Sequence, residues 1–245
     1  MLHAVFVGVG AQRDPRIPSA RGARKNAEAM YASVSRSAAE QRHLTLLVDE
    51  RATKQTIARV LTEELPARVA TTDSVLIYFA GRLSLGRAGV QPGVSTYLVT
   101  HDTTHDDLRA LSLDVIGEVA AWMRGMTARL VTLIVDSSFA SSPTPRRWPA
   151  MTVHARSVIL AASVDDDGVA TESGRGLFTT HLLQAIARSP ERGLVTPAQL
   201  HADTSASLLG GSARSDQLPV LIGAGSTTHA PLFRIREMST AGTRG

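Results

Sequence analysis

Short apolar runs recur along the whole chain, at residues 3–9, 43–48, 74–80, 130–135, 157–162 and 218–222. The segments between them carry apolar residues at helical spacing. This alternation constrains the fold more than any other feature. Strands joined through helices run in the same direction and hydrogen-bond side by side, and the helices must cover the faces of the sheet they form. Residues 20–37 place Ala27, Met30, Tyr31 and Val34 on one helical stripe, and residues 53–69 do the same with Ile57, Val60, Leu61 and Leu65. Thr53 is positioned to cap the second of these helices. Residues 112–123 carry Val115, Ile116 and Val119 behind a Ser112 cap, and residues 176–188 carry Phe178, Leu182, Leu183 and Ile186. Residues 196–209 open with Pro197, which suits a first helical turn. The pattern predicts an α/β fold, a three-layer α-β-α sandwich on a mostly parallel six-stranded sheet with helices on both faces. A short extra strand is expected at 97–100, and polar, turn-rich loops at 143–149 and 165–175. The alternation is unbroken, so residues 1–235 are expected to form a single domain, with 236–245 a disordered tail.

A chain of 245 residues with 43% apolar content can bury a full core. Cysteine is absent, which excludes disulfides, thiolate metal sites and a thiol nucleophile, and points to an intracellular protein. Formal charge is +4, and lysine occurs only at Lys25 and Lys54, so arginine supplies 24 of the 26 basic residues. The arginines are scattered without interleaved aromatics, so no nucleic-acid partner is expected. No segment approaches the ~18 consecutive apolar residues of a membrane span, so no membrane association is expected. The N-terminal MLHAVFVGVG reads as a first strand and not a signal peptide, and a cytoplasmic location is expected.

The chemistry-bearing residues cluster where strands end. SVLIYFAGRLS ends one apolar run and TLIVDSSFASS ends another, while AVFVGVGAQRDPRIPSARGARKNAEAM runs from the first strand through a loop into a helix. Together with SVILAAS, GLFTTHLLQAI and QLPVLIG, in this order and spacing, these segments resemble the caspase-like clan of cysteine proteases, including metacaspases and compact bacterial homologues. The resemblance covers about residues 5–223. It implies a sandwich of the caspase-haemoglobinase type, with a histidine and a cysteine presented at adjacent strand ends. It places the histidine at Arg82, with Leu83 where a glycine follows in the family. It places the cysteine at Ser138, between Ser137 and Phe139. The helix-start aspartate that binds basic substrate side chains in some relatives falls at Asn26, flanked by Arg24 and Lys25, whereas Asp136 is retained.

Cysteine-protease chemistry needs a thiolate and a proton shuttle. A guanidinium remains protonated and accepts no proton, and a serine hydroxyl without a general base is a poor nucleophile. Both halves of the dyad are thus unsuited to the family mechanism. Three readings of Ser138 follow: a natural pseudoprotease, a cysteine protease with serine substituted for its nucleophile, or a serine hydrolase with another base. The candidate bases are His101, His105, His154 and His181, none of them in a Gly-x-Ser-x-Gly setting.

Weaker signals have bland readings beside them. HDTTHDD at 101–107 and the aspartates 165–167 could hold a cation, but read as solvated polar loops without metal-site spacing. GVGAQR resembles a dinucleotide loop but has Arg13 at the third glycine position. No cofactor or metal is expected. Trp122 is assigned to the core. Trp148, in PRRWP beside the degenerate site, is either surface-packed or a partner contact. The leading expectation is a non-enzymatic module that binds an active caspase-like protease or another effector in a bacterial stress or antiphage system. It would use the vestigial cleft of Asp136, Asn26, Ser137, Arg82 and Trp148, with Arg82 expected to hold a partner carboxylate bidentately. Self-pairing into a homodimer through the last strand, 218–222, is the second expected surface.

Overall fold

The structure is a computed structural model that describes residues 1–38, 41–87, 94–139, 155–164, 174–189, 193–210 and 219–235, with the backbone alone at 86, 87, 94, 138, 139 and 162–164. The chain opens with β1 (Leu2–Gly8), buried along its whole length as an interior strand covered on both faces must be. It continues through α1 (Ala23–Ser37), β2 (Arg42–Val48), α2 (Lys54–Arg59) with a π-helical turn at Val60–Glu64, β3 (Ser74–Arg87), β4 (Val94–Leu98) and α3 (Leu108–Leu111). Next come β5 (Leu113–Asp114), a π-helical turn at Val115–Val119 leading into α4 (Ala120–Gly125), β6 (Leu130–Phe139) and β7 (Ser157–Val164). The remaining elements are α5 (Leu177–Arg188), β8 (Leu194–Val195), α6 (Pro197–Leu209), β9 (Val220–Ile222), α7 (Gly225–Thr228) and β10 (Phe233–Arg234).

The central sheet runs β2-β1-β3-β6-β7-β9. Its first five strands are parallel and β9 is antiparallel to β7. On one face Val5, Val7, Ile77 and Leu133 pack with Ile57, Leu61, Val119 and Met123. On the other, Phe6, Tyr78 and Ile134 pack with Met30, Phe178, Leu182 and Leu200. Helices α2 and α4 therefore cover one face, and α1, α5 and α6 the other. Trp122 is only partly buried, at the margin of the first core. Among the described residues no helix is long and apolar enough to cross a membrane.

Several boundaries differ from the sequence expectation for identifiable reasons. Among the described residues the sheet has eight strands, not six, because β3 runs on past Ala80 to Arg87 and there pairs antiparallel with β4, which in turn pairs with β5. Helix α1 starts at Ala23 because Gly22 takes φ +87°, a left-handed conformation outside the helix. The expected Ser112 cap is replaced by Asp114, whose Oδ1 accepts from the amides of Ile116 and Gly117 at 3.0 Å each. Thr53 does cap α2, accepting from the Thr56 amide, and Thr196 caps α6 ahead of Pro197. Leu218 of the expected last strand and the 236–245 tail lie outside the described residues.

Helix α1 sits hard against the end of β1. A Cβ on Gly8 would fall 2.7 Å from Ala27 Cβ and 2.8 Å from the Ala23 carbonyl oxygen, neither of which can swing aside. Gly8→Ala is expected to cost about 2 kcal/mol and lower the melting temperature by about 4–8 °C. An unchanged melt would show that α1 slides freely on the strand.

Candidate functional site

Strands β3 and β6 are parallel neighbours with Ala80 opposite Asp136, Gly81 opposite Ser137 and Arg82 opposite Ser138. Strand alternation then sorts the side chains. Tyr78 and Ala80 belong to the core under α1 and α5, so Arg82 and Asp136, two residues further along their strands, face that same layer. Ser137 follows Val135 onto the opposite face, where it is buried and has a bonding partner. It therefore does not join Asp136 and Asn26. The Ser138 side chain and the whole of Trp148 lie outside the described residues.

Arg82 is only 4% exposed. Its Nε donates to the Pro18 carbonyl and its Nη2 to the Ser19 carbonyl at 2.9 Å. A carbonyl can accept but not donate, and a guanidinium can donate but not accept, so this pairing is chemically complete at those atoms. The side chain that would clamp a partner's carboxylate is instead a tie between β3 and the loop that follows β1. The same loop is closed by the Ala20 amide donating to the Gly10 carbonyl at 2.9 Å.

Beside it, Asp136 is buried between α1 and α5. Its Oδ2 accepts from Asn26 Nδ2 at 3.0 Å and from the Thr179 hydroxyl. Because the Thr179 proton is committed to the carboxylate, the Tyr78 hydroxyl 2.5 Å away is the donor to Thr179. Asn26 completes the set by accepting from the Gly176 amide at 2.9 Å. Burial pushes the Asp136 carboxyl up to about 6, against the opposing pull of the Thr179 and Asn26 bonds. Burial and the nearby Asp136 charge raise Tyr78 well above its ordinary value. Thr179 and Gly176 escaped sequence reasoning. The available signal was a pair of threonines, Thr179 and Thr180, interrupting the apolar stripe of 176–188. Gly176 is sterically required, since a Cβ there would meet Asn26 Nδ2 at 2.8 Å and Asp136 Oδ2 at 3.1 Å.

The described loops beside this network are filled by the protein's own groups. Asp49 accepts from the Gly10 and Ala11 amides at 2.8 and 3.1 Å, so a carboxylate occupies the donors that a dinucleotide loop would offer to phosphate. In the 101–107 segment, Asp102 accepts from the Lys54 amide at the start of α2, Asp106 pairs with Arg16, and His101 bonds the Ala11 carbonyl. Among the described residues no group of three His, Asp or Glu side chains could hold a metal ion; residues 165–167 lie outside them. Of the candidate bases, His181 bonds Ser207 on α6 at 2.7 Å, His105 lies exposed beside Asp106, and His154 is outside the described residues.

No protein-family model matches this sequence, and no curated protein does. Solved structures do match. Protein GSU0716 from Geobacter sulfurreducens superposes with a TM-score of 0.65 over 96% of this chain and 99% of that one, at 17% sequence identity. At that identity the likeness establishes a shared mixed α/β fold and nothing about activity.

Proposed function

We propose that this protein is a catalytically inactive, caspase-like pseudoprotease that works as a protein-binding module in a sandwich of the caspase-haemoglobinase type. The partner on this reading is an active caspase-like protease or another effector in a bacterial stress or antiphage system. One observation carries the proposal: Arg82 and Ser138 sit directly opposite each other at the paired ends of β3 and β6, the two seats that the sequence resemblance assigns to base and nucleophile. A buried guanidinium that donates to two backbone carbonyls cannot take up a proton from a neighbouring hydroxyl. Asp136 is likewise committed to Asn26 and Thr179, which makes it a structural anchor in place of a pocket floor for a basic side chain.

Purified protein incubated with a fluorogenic peptide library is expected to show no turnover above buffer. It should also resist labelling by a fluorophosphonate probe. Turnover that vanishes in Ser138→Ala, or labelling at Ser138, would overturn the pseudoprotease reading.

A further inference from the structure

The mouth of the degenerate cleft carries positive charge that no described residue pairs with. Arg13, Arg21 and Lys25 are all exposed, and among the described residues none of the three has an ion-pair or side-chain hydrogen-bond partner. The fold brings them to one rim. Arg13 and Arg21 lie on the loop cinched by Ala20 to Gly10, and the Arg13 amide pins that loop to the His101 carbonyl at 2.9 Å. Lys25 leans over Gly174, its Nζ 2.9 Å from where a Cβ on that glycine would stand. Gly22, between them, packs against the Gly174 carbonyl. Two neighbouring cations on this loop and helix are neutralised, Arg16 by Asp14 and Asp106 and Arg24 by Glu28.

A further source of positive potential lies beneath the rim. Helix α1 points its N-terminus at it, with no acidic residue in its first turn and no side-chain cap. The helix dipole favours anions there, so Lys25 in that turn is electrostatically disfavoured. Local stability gives no reason for this arrangement. Positions that break a local rule are where functional or strained sites are expected.

We propose that this rim docks an acidic segment of a protein partner, with its carboxylates on Arg13, Arg21 and Lys25. The proposal rests on the reading of the chain as a binding module and specifies the chemistry of what it binds. The contact is peripheral, so it governs association rate and partner choice and is sensitive to salt.

The test uses the full chain and a fluorophore-labelled oligo-aspartate peptide, with oligo-lysine and a short DNA duplex as comparators. The aspartate peptide is expected to bind at about 50 mM salt and to weaken several-fold at about 300 mM. The triple variant Arg13→Glu/Arg21→Glu/Lys25→Glu is expected to lose more than about tenfold in affinity with an unchanged thermal melt. Arg124→Glu, exposed at the end of α4 and so at the opposite end of the sheet, should stay within about twofold. Absence of aspartate-peptide binding, an equal loss in Arg124→Glu, or tighter binding of the DNA duplex would each overturn acidic-segment docking. Mass spectrometry of the bound peptide separates the two readings. An intact peptide supports both, whereas a cleaved one supports docking and overturns the inert reading.

Discussion

Replacing Arg82 by alanine is expected to destabilise the protein by about 4 kcal/mol, and by methionine about 2 kcal/mol. The difference isolates two contributions. Methionine keeps an apolar stem of similar reach in a site that is 4% exposed, so it retains packing and loses the polar interactions of the guanidinium, the bonds from Nε and Nη2 to the Pro18 and Ser19 carbonyls among them. Alanine loses those bonds and leaves a cavity besides. The methionine figure is smaller than two charge-assisted bonds alone would suggest, because removing a buried cation also recovers its desolvation cost. For a chain of this length, each kcal/mol shifts the melting temperature by roughly 2–4 °C, so the alanine variant should melt about 8–16 °C lower. The effect has a local signature too. With the tie cut, the loop after β1 should open more often, and trypsin should cut after Arg16 or Arg21 at least about tenfold faster in both variants. Melting and cleavage rates equal to those of the parent protein would show that Arg82 does not hold the loop.

The second large effect is in the pH dependence of stability. Burial holds the Asp136 carboxyl at about 6, above its ordinary value of 3.8. Between those values the folded chain retains a proton that the unfolded chain has released. Stability therefore falls as pH rises through that window and levels off above it. The shift corresponds to about 3 kcal/mol. Asp136→Asn removes the titration, so the stability difference between parent and variant should change by about this amount between about pH 4 and pH 6.5 and be flat outside. Asp73 has the opposite sign. Burial would raise it, but the N-terminal ammonium, the Ala70 amide and His3 together bring it down to about 2. Its contribution is present above about pH 4 and is lost on acidification below that. Because Asp73 is common to both proteins, its contribution cancels in the difference. A parent–variant difference that does not vary between pH 4 and 6.5 would show that Asp136 is not held in a dry environment.

The candidate site was legible in the sequence as a set of positions but not as a set of roles. Reading strand ends and a family resemblance brought Arg82, Ser138, Asp136 and Asn26 forward, and the sheet places the first two opposite one another. The same reading made Arg82 an available clamp, whereas the loop 64 residues upstream takes up its donors. It grouped Ser137 with Asp136, although adjacent strand residues face opposite layers. It missed Thr179, which is 43 residues from Asp136 and on a helix whose pattern otherwise signals only packing.

What the sequence alone determined is the layer architecture, because periodicity encodes which face of an element is apolar. It also excludes a thiol nucleophile, because no cysteine is present. Only the tertiary structure decided what each polar residue is used for. Asn26 reaches Asp136 across 110 residues, and Gly176 reaches Asn26 across 150. Such pairings depend on strand register and helix docking. A local pattern fixes the direction a side chain faces but not the distant group it meets there.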